Sequence, residues 1–369
     1  MIWLDNAATT KPDATILKKM GEIAEEFFGN PSSSHFSGLA ARRVLEEARE
    51  KTAQQLSVLP EEIIFTPSGS VANNLIIRGV VRPNPKSHVV ISAIEHDSVS
   101  GPVQALKNQG VRVTEVQPRK DGMIHPEDFE AAVGEDTTLA CVMHVNNETG
   151  VIQPIKELSI LLKRKAPKAL FLSDAVQSAG KMKLTPSLWG VDFMTLSAHK
   201  FHGPRGIGAL YCKKGVRLPA VMHGGGQEAG IFPGTENVPG AVGLAESLVL
   251  CAAHDAQKVQ ACKEILREKL LALDDTTENG NGFPYVLNVS FHGIPSEILL
   301  NSLSGKGICV SAGSACKTGK SSRTIAAMGG DAKSALRFSL SAQTTPEEAE
   351  IAANAVCEIV TAFRKGELA

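Results

Sequence analysis

The chain has 369 residues, of which 43% are hydrophobic and 21% charged, with a formal net charge of −1. That length suits two domains of a globular protein, and the near-neutral balance removes the electrostatic footprint of a nucleic-acid or anionic-membrane binder. Aromatic residues are only 5%, too few for base-stacking surfaces, and no apolar run approaches the roughly 18 residues needed to span a bilayer.

Residues 1–11 are polar after Leu4 and are expected to cross the surface before the first helix. Pro12-Asp13 starts an amphipathic pattern through Phe28, and residues 29–35 form a loop by composition. Leu39 to Leu56 has apolar residues three and four apart, a helix. The run Ile63-Ile64-Phe65 leads through Thr66-Pro67-Ser68-Gly69-Ser70 into a helix ending near Val81. Strands are then expected at 88–92, 111–116, 139–145, 169–173, 193–196 and 207–211. Helices at 98–109, 126–133 and 155–165 separate several of them. Short runs rich in Val, Ile, Leu and Phe between helical patterns point to a mostly parallel α/β sheet. Residues 239–273 read as one or two long helices and 274–284 as a surface loop. Strands at 286–291, 309–311 and 336–340 alternate with helices at 295–303 and 346–364, a smaller α+β unit. The expected division is 12–248 for a large domain, with 1–11 and 249–369 forming a small one.

Lys200 stands out because it lies in a turn, Ser197-Ala198-His199-Lys200-Phe201-His202-Gly203, between two apolar runs. A lysine desolvated there has a lowered pKa and can act as an amine nucleophile toward an aldehyde. Such an amine suits a Schiff base with pyridoxal 5'-phosphate (PLP); the alternative is a surface-turn lysine. Asp174 follows an apolar run, where a carboxylate suits a pyridinium N–H or caps a helix. Gln177 lies within reach of the same ring. Gly69 and Ser70 open a helix after a strand, a place for a phosphate or simply a cap. His96 and Asn147 each follow a strand; an imidazole at 96 could stack on a ring or carry protons. Arg337 is a charge inside the run Leu336-Arg337-Phe338, which requires a substrate carboxylate or a structural salt bridge.

Seven cysteines with no Cys-x-x-Cys pair fit reduced thiols better than a disulfide framework or a metal site. Cys316 sits in the small, polar stretch Gly313-Ser314-Ala315-Cys316-Lys317, with Lys320 and Arg323 nearby, a basic setting that favours thiolate. The other six lie in apolar or helical contexts. The N-terminus lacks a basic region followed by an apolar core, so no secretory signal is expected and the chain is expected to be cytoplasmic.

Taken in order, these motifs resemble the PLP-dependent cysteine desulfurases of the NifS/IscS type, in the class-V aminotransferase family. The likeness rests on Leu4-Asp5-Asn6-Ala7-Ala8-Thr9-Thr10, Glu95-His96, Asn146-Asn147-Glu148-Thr149-Gly150, Asp174-Ala175-Val176-Gln177-Ser178, His199-Lys200, His223-Gly224-Gly225-Gly226-Gln227-Glu228, Gly234-Thr235-Glu236-Asn237 and Gly313-Ser314-Ala315-Cys316. The resemblance implies a fold-type-I homodimer: a large domain with a mostly parallel seven-stranded sheet and a smaller α+β C-terminal domain. It implies Lys200 as the Schiff-base lysine, Asp174 on the pyridine nitrogen and Gln177 on the ring oxygen. His96 would stack on the ring and move protons. Gly69, Ser70, Ser197 and His199 would bind the phosphate, with Thr235 donated across the subunit interface. Asn147 and Arg337 would hold the carboxylate of L-cysteine, and Cys316 would take its sulfur as a persulfide for a sulfur-acceptor protein, as in iron–sulfur cluster assembly.

The chain departs from the family pattern at Pro67-Ser68-Gly69-Ser70-Val71, at Ala229 and Phe232 where arginines are common, and at Ala312 where Thr or Ser is usual. The segment from Cys316 to Arg337 is also shorter than in the housekeeping members, so a short tether would need an acceptor that docks close. The competing readings are a selenocysteine lyase or another class-V PLP aminotransferase, which would not need Cys316, and a non-catalytic sulfur-trafficking scaffold.

Overall fold

The computed structural model describes residues 1–313 and 322–367. Its centre is a seven-stranded sheet in the order Ile63–Thr66, Gly208–Cys212, Phe193–Ser197, Leu170–Asp174, Thr137–Cys141, His88–Ser92, Arg112–Val116. The pairs from Phe193–Ser197 to Arg112–Val116 are parallel, while Gly208–Cys212 runs antiparallel to both of its neighbours. The interior strands are apolar along nearly their whole length because helices cover both faces. One face packs Phe65, Val90, Ala140, Phe171 and Met194 against helices Phe36–Leu56, Ile155–Lys165 and Val238–Ala252. The other packs Ile64, Val89, Ile91, Leu172 and Phe193 against helices Gly69–Val80 and Asp97–Lys107.

Helix Val238–Ala252 contributes to this core through Val238, Ala241, Leu244, Leu248 and Cys251, whereas the next helix, Ala256–Leu271, turns Val259, Cys262 and Leu266 into a separate core. That second core is built on an antiparallel sheet ordered Ala335–Ser339, Val286–Phe291, Thr276–Glu278, with helix Pro346–Arg364 packed against Ala256–Leu271. The last helix starts sharply because Thr345 and Glu348 form a reciprocal capping box and Pro346 takes the first helical position. Within the stretch read as a surface loop, Thr276–Glu278 pairs as an edge strand; its polar residues masked it.

The N-terminal residues do not cross the surface as expected. Ile2–Trp3 pairs in parallel with Ile308–Cys309, Leu4 is fully buried in the second core, and Asn6, Ala7 and Thr10 are buried too. Polar residues read as solvent-facing are here satisfied internally: Asn6 Nδ2 donates to Ser339 O at 2.8 Å and Thr10 N to His199 O at 2.8 Å. Among the described residues, no helix is long and apolar enough to cross a membrane.

Candidate active site

In an open parallel sheet, ligands bind beyond the carboxyl ends of the strands, and the polar residues of this chain gather there. Asp174 and Ser197 are the last residues of adjacent parallel strands. The loops after His88–Ser92 and Thr137–Cys141 bring His96, Met143 and Asn147, and the second unit contributes Ala7, Ala8 and Arg337. A cavity of about 230 Å³ results, and Gly69, Ser70, His96, Asn147, Asp174, Gln177, Ser197, His199, Lys200 and Arg337 all line it. Thr235 does not; it is exposed in this chain. Cys316 lies outside the described residues.

Lys200 ends the single turn Ala198–Lys200 that follows strand Phe193–Ser197. Its Nζ donates to the carbonyls of Ala7 at 2.7 Å and Ala8 at 2.8 Å. The run Asn6-Ala7-Ala8-Thr9-Thr10 thus supplies main-chain acceptors to the amine, and its small side chains let the backbone come close. Beside it, burial and then the Lys200 charge push the His199 imidazole down to about 4, so this ring is neutral at pH 7. Desolvation, reinforced by the Lys200 charge, lowers the Lys181 ammonium to about 7. Lys181 Nζ lies 5.7 Å from the Tyr285 ring centroid and 6.0 Å from that of Phe283.

Asp174 caps no helix. Its Oδ1 accepts from Val176 N at 2.9 Å and its Oδ2 from Asn73 Nδ2 at 3.0 Å, both N–H donors, as an ionised carboxylate requires. Gln177 Nε2 donates to Ala7 O at 2.9 Å, while its buried Oε1 has no partner among the described residues. The helix Gly69–Val80 starts at the cavity with Ser68 as its cap, Oγ accepting from Val71 N at 3.2 Å. A Cβ on Gly69 would come within 2.7 Å of Val176 Cγ2, so only glycine lets this helix start lie so near the strand end. His96 caps helix Asp97–Lys107, its Nδ1 accepting from Ser98 N at 3.1 Å.

Arg337 is 1% exposed and both alternatives for it hold in part. Nη2 pairs with Asp5 Oδ1 at 2.8 Å and Nη1 donates to Asn147 O at 2.8 Å, a structural tie, yet Nε has no partner among the described residues. The turn that presents Asn147 is held by Asn146, whose Oδ1 accepts from Glu148 N and Thr149 N at 2.9 Å each. Glu148 in turn accepts from Ser322 Oγ at 2.5 Å, and Arg323 Nη2 donates to Glu95 O at 2.8 Å. These bonds tie Ser322 and Arg323 to the loops that carry Asn147 and His96.

No sequence signal marks Asn73, the turn-holding role of Asn146 or the Ala7 and Ala8 carbonyls. Asn73 looks like an ordinary helix residue, and main-chain acceptors leave no residue-type signal. In the sequence Glu95 is marked only as the motif neighbour of His96. Burial pushes its carboxyl up to about 8 even though Ser92 Oγ and Met143 N donate to it. The other thiols fit the structural reading: Cys141, Cys251 and Cys262 are buried. Burial raises Cys251 to about 12 and half-buried Cys212 to about 11.

Residues 2–351 match the family model described as aminotransferase class-V. The chain is 40% identical over 364 residues to cysteine desulfurase 2 of Trichormus variabilis, an alignment covering 95% of this chain and 90% of that protein. It superposes on a solved NifS-like protein with a TM-score of 0.92 at 35% identity, covering 98% of this chain and 99% of the other. A structure described as SspA in complex with cysteine matches with a TM-score of 0.83 at 31% identity, covering 92% and 99%. With the sheet, the cavity and near full-length similarity in agreement, the chain belongs to the class-V aminotransferase family, within its cysteine desulfurase branch.

Proposed function

We propose that this chain removes sulfur from L-cysteine in the cavity around Lys200, using PLP, and passes that sulfur to Cys316. The observation that carries the reading is the meeting in one cavity of Lys200, the paired carboxylate Asp174, the bare Gln177 Oε1 and the start of helix Gly69–Val80. Those groups fit PLP in kind. The helix start with Ser70, Ser197 and His199 suits a phosphate monoester. Asp174, locked as an acceptor, suits a protonated pyridine nitrogen, and Gln177 Oε1 suits a ring hydroxyl. Lys200 is the amine for the aldehyde. When bound, the cofactor supplies an electron sink for the bonds at the substrate's α-carbon.

The chain's own residues then have separable tasks. Arg337 Nε, without a partner among the described residues, is one donor left for the substrate carboxylate, while one N–H of each Nη is engaged by Asp5 and Asn147; Asn147 lies beside it. Lys200 Nζ is the amine placed to take and return a proton. His96 lies over the same cavity for stacking and proton handling. The Cys316 thiolate attacks the substrate sulfur: an S–S bond forms and the C–S bond breaks, and a proton goes to carbon. Cysteine plus enzyme thiol thereby gives alanine plus enzyme persulfide, with atoms balanced. We place Thr235 in the partner copy's site, because it is exposed and away from the cavity of its own chain. Borohydride reduction of PLP-treated protein followed by peptide mass spectrometry tests the assignment. A phosphopyridoxyl mass on Lys200, absent from Lys200→Ala, is expected; label on another lysine contradicts it.

A further inference from the structure

Asn73, fully buried in helix Gly69–Val80, touches three polar partners that belong to three different elements. Thr195 Oγ1 donates to its Oδ1 at 3.0 Å. Its Nδ2 donates to Asp174 Oδ2 at 3.0 Å and to Ser98 Oγ at 2.9 Å. The amide can point only one way. A flip would set Oδ1 against an acceptor-only carboxylate, leaving both without a proton. Ser98 Oγ, having accepted from Asn73, keeps its own proton for His96 Nδ1 at 2.9 Å. The same Nδ1 already accepts from the Ser98 N–H at 3.1 Å. Two donors facing one ring nitrogen leave it unprotonated, so the proton of the neutral imidazole lies on Nε2.

We infer that Asn73 is a positioning residue that orders the protons of the site, holding Asp174 as a pure acceptor and His96 as its Nε2–H tautomer. The inference deepens the reading of His96 and Asp174 above and rests on it. Its consequence is directional: His96 offers a hydrogen from Nε2, and any proton it exchanges with the reacting centre passes through that atom. The ring's other nitrogen is committed to Ser98. Asp174 and His96 are thereby coupled through one amide although they do not touch.

Nitrogen-15 NMR of histidine-labelled, PLP-loaded full-length protein reads the tautomer directly, with His96→Gln identifying the signals. The expected wild-type result is Nδ1 in the unprotonated range and Nε2 in the protonated range. In Asn73→Ala, Ser98 Oγ loses its donor and can turn its proton elsewhere, so the expected result is a mixture of tautomers. Asn73→Asp places a second carboxylate on Asp174 and draws the Ser98 hydroxyl away; a larger shift of the His96 signals is expected. A wild-type spectrum with the proton on Nδ1, or an Asn73→Ala spectrum identical to wild type, overturns the inference. The wild-type result with the proton on Nδ1 overturns it even where a variant does not fold, and Asn73→Asp supplies a second variant should Asn73→Ala fail to fold. Because no cysteine turnover enters the measurement, a failed desulfurase reaction and a failed proton order are told apart.

Discussion

At the residue scale, the site combines groups whose charge states the fold has set. Burial pushes His199 down to about 4 and Lys181 down to about 7, and pushes Glu95 up to about 8. Glu95 gives a pH prediction. Its folded-state value lies above the ordinary value of 4.5, so between 4.5 and 8 the folded state binds more protons than the unfolded one, and stability falls as pH rises. Glu95→Gln cannot lose that proton. The stability of Glu95→Gln relative to wild type should therefore climb from pH 4.5 to 8 and level off above it, read by denaturant midpoints across that range. A flat difference would remove the buried neutral carboxyl from the account. Lys200, Asp174 and His96 were legible in the sequence because each ends or follows a strand, and Arg337 because it is a charge inside an apolar run; all four line the cavity. What supports them was not legible. Asn73 reaches Asp174 across 101 positions, and Lys200 meets carbonyls 193 and 192 positions away, contacts that no local pattern encodes.

At the element scale, the segment leading to Thr235 is fastened to the sheet edge by one ion pair. Arg49 Nη1 and Nη2 donate to Glu228 at 2.8 Å each, and Glu228 Oε2 also accepts from Phe65 N at 2.7 Å. Glu228 and Ala229 hold left-handed backbone, φ 46° and 56°, which non-glycine residues adopt only when their surroundings impose it. Arg49→Ala leaves the Glu228 carboxylate buried and unpaired, and should lower unfolding stability by about 3–5 kcal/mol in urea titration. A loss under about 1 kcal/mol would show that the pair does not hold the segment. Element boundaries were legible where an apolar run ends in a cap or a turn. His88–Ser92, Ile155–Lys165, Val286–Phe291 and Pro346–Arg364 stand as read. The strand expected at 139–145 is instead Thr137–Cys141. Val142, Met143 and Val145 are apolar because the loop at the strand's end is itself buried, which imitates a longer strand.

At the scale of the whole molecule, the expected mostly parallel seven-stranded sheet and smaller α+β unit are present. The alternation of short apolar runs with helices carries the mostly parallel sheet; the count of seven strands is what the resemblance implied. For residues 2–7, grouped in the sequence with residues 249–369, what composition concealed is their burial and their parallel pairing with Ile308–Cys309. Thr235 makes the dimer testable. Co-purified hybrids of Lys200→Ala and Thr235→Ala chains contain one site with both residues intact if Thr235 crosses the interface, and none if it serves its own chain. Hybrids should recover about half the wild-type activity per dimer, where each parent homodimer is impaired; hybrids no better than the Thr235→Ala homodimer would place Thr235 in its own subunit.

The central claim is that sulfur leaves cysteine at the Lys200 cavity and arrives on Cys316. Mass spectrometry of the PLP-loaded protein after exposure to L-cysteine, with alanine measured in the same sample, tests it most directly. The account predicts one added sulfur on Cys316 for each alanine formed, and no added sulfur in Cys316→Ala although that variant still binds PLP. Full cysteine turnover by Cys316→Ala, or added sulfur on another cysteine, would contradict it.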